Sequence, residues 1–248
     1  MTPFSYDDCP YPVRATMADG YRASWDYIAG AGNWWSGQER IAIAQASRDA
    51  FSCALCGDRK QALSPYGMSG AHDGASVLDD KVTDAVHRMT TDAARLTEAW
   101  INEAVDDTFT YGHYVEAVSV VVSVFCIDSF HRALGLALAP LPEPKPGEPS
   151  RYWPPGATVD VAWVPMLLPE TLTEPEADIF GGQPQMANVI RAMSLIPDAV
   201  RQLAAQSAVQ YVDLPNVRNF SSSGQLSLSR PQIELVAART SAINDCFY

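Results

Sequence analysis

The residues best suited to chemistry are two cysteines three positions apart, Cys53-Ala54-Leu55-Cys56, within the stretch IAIAQASRDAFSCALCGDRK. Side chains at i and i+3 share one face of a helix, and two such sulfurs reach disulfide distance where the helix end relaxes. Ser52, a capping residue type, precedes the first sulfur and predicts that a new helix begins there. The partial positive charge of a helix amino end favours the thiolate, which is the nucleophilic form of cysteine. Such a pair can reduce a peroxide in two steps: one thiolate is oxidised to a sulfenic acid, and the second thiol condenses with it to a disulfide. Lys60, one turn beyond Cys56, adds positive charge on the same face.

Two plainer readings stand beside this one. Free cysteines at helical spacing often serve as small buried apolar residues. A CxxC can also be half of a zinc site, but structural zinc takes four ligands and no second CxxC or HxxxH is present. His72, His87 and His113 form no recognisable pattern; Cys9 reads as incidental and Cys126 as buried.

The elements around the pair read as helical. Helices are predicted over Ala15 to Ala29, Gln38 to Ala50, Asp79 to Met89, Arg95 to Val105 and Tyr114 to Leu138, with Asp79 and Thr97 as caps and Gly135 as a late weakness. The apolar run from Val115 to Ile127 is interrupted by Glu116, Ser119, Ser123 and Cys126 and falls short of the roughly 20 residues of a bilayer span, so a buried helix is expected. Ala139 to Gly156 holds seven prolines in eighteen residues, which predicts a linker or an ordered wrap. Helical patterning returns from Ala187 to Tyr211, divided by Pro197, and again from Ser229 onward. The expected organisation is a first helical unit over 1–138, a Pro-rich linker and wrap over 139–184, and a second helical unit over 185–248.

Superposing Cys246 on Cys53 pairs ELVAARTSAINDC with IAIAQASRDAFSC at an offset of 193 residues. Identity is thin, yet the order of features agrees: a helix, a loop, a Ser-led Ala-rich helix, then a capping residue and a cysteine. Asp245 precedes Cys246 as Ser52 precedes Cys53.

At these residues the chain resembles the alkylhydroperoxidase D and carboxymuconolactone decarboxylase superfamily. Its alkylhydroperoxidase D-like members carry a glutamate, then a CxxC, then a histidine on a helical scaffold. The segment Arg230-Pro-Gln-Ile-Glu234-Leu-Val-Ala-Ala-Arg-Thr-Ser-Ala-Ile-Asn-Asp-Cys246-Phe-Tyr248 is similar to that motif, with Glu234 twelve residues before Cys246. The sequence stops at Tyr248, one position before the second cysteine of the motif. The expectation drawn from this is that residue 249 is a selenocysteine encoded by UGA. The first unit departs from the pattern: Ile41 stands at the glutamate position and Lys60 at the histidine position. Glu39 and His131 are the substitutes to consider, although His131, followed by Arg132 after an apolar helix, reads more simply as a core or helix-end histidine. Glu234 lies about 18 Å from Cys246 along an uninterrupted helix, so it acts as a base only if the chain bends near Asn244 and Asp245.

The resemblance implies an all-α protein of two related repeats and a cysteine-based peroxidase or thiol-disulfide oxidoreductase. Its substrate would be a hydroperoxide, its reductant a dithiol, and its chemistry would need no metal or organic cofactor. Catalytic candidates are Cys53, Cys56, Cys246 and Glu234, with Lys60, His131 and Glu39 as proton-relay or thiolate-supporting candidates. Family members commonly assemble as homo-oligomers, which is the expectation here. Two other classes remain: a decarboxylase acting on a small lactone, which has no need of a thiol pair, and a non-catalytic helical interaction protein with vestigial thiols.

Composition sets limits on partners. At 47% hydrophobic and 19% charged residues, the chain has the make-up of a globular protein. Its net charge of −12, from 17 basic and 29 acidic residues with no basic cluster, argues against a nucleic-acid partner. The opening MTPFSYDDCPYPV lacks a basic segment followed by an apolar one, so neither a secretory signal nor a membrane partner is expected. Five sparse cysteines suit a reducing cytoplasm, where a close pair is more often redox-active or metal-binding than structural.

Overall fold

Helix α1 (Ala15–Ala29) buries Ala18, Tyr21, Trp25 and Ile28 at the three- and four-residue spacing that makes one apolar face. The computed structural model describes residues 4–74, 77–212, 216, 219–224 and 226–243. Helix α2 (Gly37–Asp49) starts at a reciprocal capping box between Ser36 and Glu39 and packs on α1. A 3-10 turn over Ala50–Ser52 then leads through Cys53 into the short helix α3 (Ala54–Gln61).

A second 3-10 turn (Pro65–Gly67) precedes α4 (Asp80–Thr91), and a third (Ala93–Arg95) precedes α5 (Glu98–Ala104). Thr97 caps α5 through the Trp100 amide as expected, whereas the Asp79 side chain makes no cap hydrogen bond to α4. The long helix α6 (Tyr111–Ala133) packs against α1, α2 and α4. It begins three residues earlier than predicted because Thr110 and His113 close a capping box, and it ends at Ala133, with Gly135 in the left-handed region at φ 68°. Helix α6 is long and apolar enough to cross a membrane, yet most of its apolar stretch is buried inside this fold.

The Pro-rich segment is an ordered strap. Lys145, Ser150 and Arg151 donate backbone hydrogen bonds to the carbonyls of Ala29, Gly32 and Asn33, and Trp25 donates its indole N–H to the Pro140 carbonyl. A two-residue antiparallel ladder follows, with Thr158 opposite Met166 and Val159 opposite Pro165. After α7 (Asn188–Arg191), Pro197 occupies the first turn of α8 (Pro197–Gln210), where its missing N–H costs nothing. Helix α8 lies across α1 and α6, so Leu195, Ile196, Ala199 and Val200 join the same apolar core as Tyr21, Ile43, Val86 and Ile127. Helix α9 (Arg230–Ile243) is the last described element. The fold is all-α, with only the short ladder as sheet among the described residues.

Candidate active site at Cys53 and Cys56

Cys53 is the residue before the first turn of α3 and has extended backbone angles, while its carbonyl already accepts from the Gly57 amide. A helix does start at the first sulfur, but Ser52 does not cap it: its hydroxyl donates to the Asp49 carbonyl, and Cys53 itself is the cap residue. The Asp73 carboxylate receives the free Ala54 N–H at 2.7 Å, an N-terminal cap supplied by the loop that follows α3. Both cysteines are buried free thiols, and with Leu55 they form a small apolar cluster of their own.

That loop brings His72 back over the pair. The Nδ1 of His72 lies 3.5 Å from the Cys53 sulfur and 3.7 Å from the Cys56 sulfur. Its Nε2 is 2.9 Å from Oδ1 of Asp84 on α4. One turn along α4, His87 directs Nδ1 to the Cys56 sulfur at 3.3 Å, and the two imidazole centroids are 4.1 Å apart. The two sulfurs and one nitrogen from each imidazole all fall within 4.8 Å of one another.

Asp84, His87 and Arg88 stand at i, i+3 and i+4, so α4 presents all three on one face. Asp84 receives Arg59 at 2.5 Å, Arg88 at 2.7 Å and His72. Arg59 is buried on α3 and is anchored by the Met68 carbonyl, which ties the loop to the cysteine helix. A cavity of about 380 Å³ opens beside the site and is lined by Ile41, Gln45, Asp49, Asp73, Thr83 and His87, among others.

These contacts set the proton affinities. Burial works to raise the Cys53 thiol, but hydrogen bonds from the Asp73 and Cys56 amides and from the His72 and Cys56 side chains outweigh it and hold the thiol below its ordinary value. Burial likewise works to lower His72, and Asp84 with the two sulfurs overcomes it, raising the imidazole to about 10. His87 is held down at about 4 by burial and then by the charge of His72. Asp84 stays well below the usual carboxylate range; burial opposes this, and His72, Arg88 and Arg59 together prevail. The arrangement can thus hold a cysteine thiolate against an imidazolium, with a neutral second imidazole alongside.

The sequence-derived partners of the pair are engaged elsewhere. Lys60 is exposed, and the cation built into the site is its neighbour Arg59, because α3 turns position 59 inward. Glu39 is occupied by the Ser36 cap of α2. His131 joins the Tyr6 hydroxyl at 2.9 Å and the Ala137 carbonyl at 2.7 Å amid Phe4, Tyr6 and Phe130, the core histidine that the simpler reading expects. Glu234 pairs with Arg230 at 2.5 Å and accepts from the Tyr211 hydroxyl at 2.9 Å. Cys246 and the proposed bend at Asn244 and Asp245 lie outside the described residues. Cys126 is half-buried rather than fully buried, and burial raises its thiol.

The candidate-site residues that the sequence does not mark are His72, His87, Asp84 and Arg59. The α4 spacing of Asp84, His87 and Arg88 was a usable signal, whereas His72 sits in an irregular loop with no period to mark it. Comparison of the chain with protein-family models, with curated proteins and with solved structures finds no match.

Proposed function

We propose that the chain is a cysteine-based oxidoreductase that reduces hydroperoxides, or exchanges disulfides, through Cys53 and Cys56. The observation that carries this reading is the single His72 nitrogen within 3.7 Å of both sulfurs, with its opposite nitrogen held by Asp84. A base shared by two thiols can take the proton from the attacking sulfur and serve the second when the disulfide closes, and the carboxylate fixes the orientation of the ring. This is the Cys-His-Asp logic of an activated nucleophile, assembled from a helix start, a loop and the face of α4.

Cys53 is the attacking sulfur in this scheme, since it stands at the amino end of α3 where backbone N–H groups point toward it. Its thiolate attacks the distal oxygen of ROOH; the O–O bond breaks, and the alkoxide takes a proton and leaves as ROH. The Cys56 thiol then displaces water from the Cys53 sulfenic acid to form the disulfide. A dithiol reductant returns both thiols and is itself oxidised to its disulfide. The cavity beside His87 gives a small hydroperoxide room to approach. The resemblance to the alkylhydroperoxidase D-like family supports the same reaction class, with His72 and Asp84 in place of the family's glutamate and histidine.

Peroxide treatment of the metal-free full chain, followed by alkylation and peptide mass spectrometry, tests the reading. The expected product is a Cys53 to Cys56 disulfide, and a Cys56→Ser variant should instead accumulate a sulfenic acid on Cys53 that a dimedone-type nucleophile traps. Cysteines that remain reduced under peroxide would rule the function out.

A further inference from the structure

We propose that Cys53, Cys56, His72 and His87 form a zinc site. Zinc bound tetrahedrally takes thiolate sulfur at about 2.3 Å and imidazole nitrogen at about 2.0 Å, which places a sulfur and a nitrogen on one ion about 3.5 Å apart. Three of the four sulfur-to-nitrogen separations in this cluster are 3.5, 3.7 and 3.3 Å. All four donor atoms lie within 4.8 Å of one another, so one ion can reach each of them with small adjustments. Three of the four residues are buried, and the His72 side chain is only 7% exposed.

The surroundings are those a metal-binding histidine requires. His72 presents Nδ1 to the sulfurs because Nε2 is engaged by Asp84, the outer carboxylate that fixes the tautomer of a ligating imidazole. Asp84 is held in turn by Arg59 and Arg88, which limits its freedom to move into the first coordination sphere itself. Two thiolates and two neutral imidazoles balance a divalent ion and suit zinc in preference to magnesium or calcium, which take oxygen ligands. The pattern is CxxC, then one histidine from a loop and one from α4, so the ion would join α3, the 62–79 connection and α4.

Binding stands independently of the peroxidase reading, but a coupling between the two rests on it. Both thiolates are ligands, so zinc and the disulfide exclude one another. Two thiolates, one ROOH and two protons give the disulfide, ROH and water, and the ion is released. The site would then hold its sulfurs protected until peroxide removes them from the metal.

The test uses the full chain stripped of metal under reducing conditions and titrated with Zn(II) against a chromophoric chelator. About one tightly bound zinc per chain is expected. Co(II) in its place should give the strong visible bands of a tetrahedral ion together with thiolate charge transfer in the near ultraviolet. His87→Ala should weaken zinc binding at least about tenfold, while Cys126→Ser should leave it unchanged. Should the histidine variant fail to fold, the cobalt spectrum of the unsubstituted chain decides by itself. No competitive zinc uptake, or cobalt without thiolate bands, overturns the proposal. A disulfide forming in metal-free protein that takes up no zinc sinks the metal site alone. Zinc uptake by a protein whose stripped cysteines resist peroxide sinks the peroxidase alone.

Discussion

The Nε2 of His72 lies 2.9 Å from Oδ1 of Asp84, and this contact decides which ring nitrogen the sulfurs meet. With Nε2–H donated to the carboxylate, Nδ1 is left to face Cys53 and Cys56 as base or ligand. Asp84→Asn keeps the size of the side chain and removes its charge. The expected outcome is zinc affinity reduced about 10- to 100-fold, the usual effect of losing an outer-shell partner. Chelator competition measures it, and an unchanged far-ultraviolet circular dichroism spectrum separates it from unfolding. Affinity equal to that of the parent chain would show that Asp84 does not orient the ring.

Arg40 and Glu116 form a buried ion pair between α2 and α6, with Nε and Oε1 3.6 Å apart and both side chains almost wholly enclosed. Glu116 also accepts the amides of Asn33 and Trp34, and Arg40 donates to the Gly30 carbonyl. Glu116→Leu strands the guanidinium and should destabilise the fold by about 3–5 kcal/mol. The double variant Arg40→Met, Glu116→Leu removes both charges and should recover about 2 kcal/mol of that loss. Urea denaturation curves of the three proteins check the order; a double variant less stable than the single would contradict it.

His113 closes the α6 capping box with Thr110 and is depressed to about 4, first by burial and then by Arg151. Its unfolded value is about 6.5, so between those limits the unfolded chain binds the proton and the folded chain does not. Stability is therefore lost as pH falls from about 6.5 toward 4, by part of the about 1.4 kcal/mol per pH unit that one fully coupled proton gives. Glutamine preserves the capping-box geometry. Denaturation midpoints of His113→Gln should fall less steeply over this window than those of the parent chain, and parallel slopes would refute the assignment.

Gly37 opens α2 where the Pro-rich strap crosses α1. A Cβ there would lie 2.2 Å from the Ala29 carbonyl oxygen and 2.7 Å from that of Lys145, both backbone atoms. Gly37→Ala should cost about 1–3 kcal/mol despite the better helix propensity of alanine, because strap and α1 must separate. Gly57→Ala on α3 meets nothing within 4 Å and should be neutral or stabilising by up to about 1 kcal/mol. Thermal melts check both: a lower midpoint for Gly37→Ala but not for Gly57→Ala is expected, and an unchanged Gly37→Ala would refute the close packing of the strap.

Much of the helical scaffold was legible because its signals are local. The apolar spacing of α1, the break at Pro197 and the burial of the apolar α6 run depend on neighbours a few residues away, whereas α3 is capped by Asp73 from a later loop rather than by Ser52. The strap could be foreseen only as a choice between linker and wrap. Its order comes from backbone pairing to Ala29, Gly32 and Asn33, residues more than a hundred positions earlier.

The site divides along the same line. The sequence by itself determined that the two sulfurs lie one turn apart at the start of a helix, because spacing within a turn is a property of adjacent positions. Only the tertiary structure decided what surrounds them. The loop after α3 returns His72 to the sulfurs, α4 turns His87 and Asp84 inward, and α3 buries Arg59 while leaving Lys60 in solvent. Those partners are 12 to 31 residues from the atoms they meet, and such contacts are set by how loop and helices pack, which no local period records.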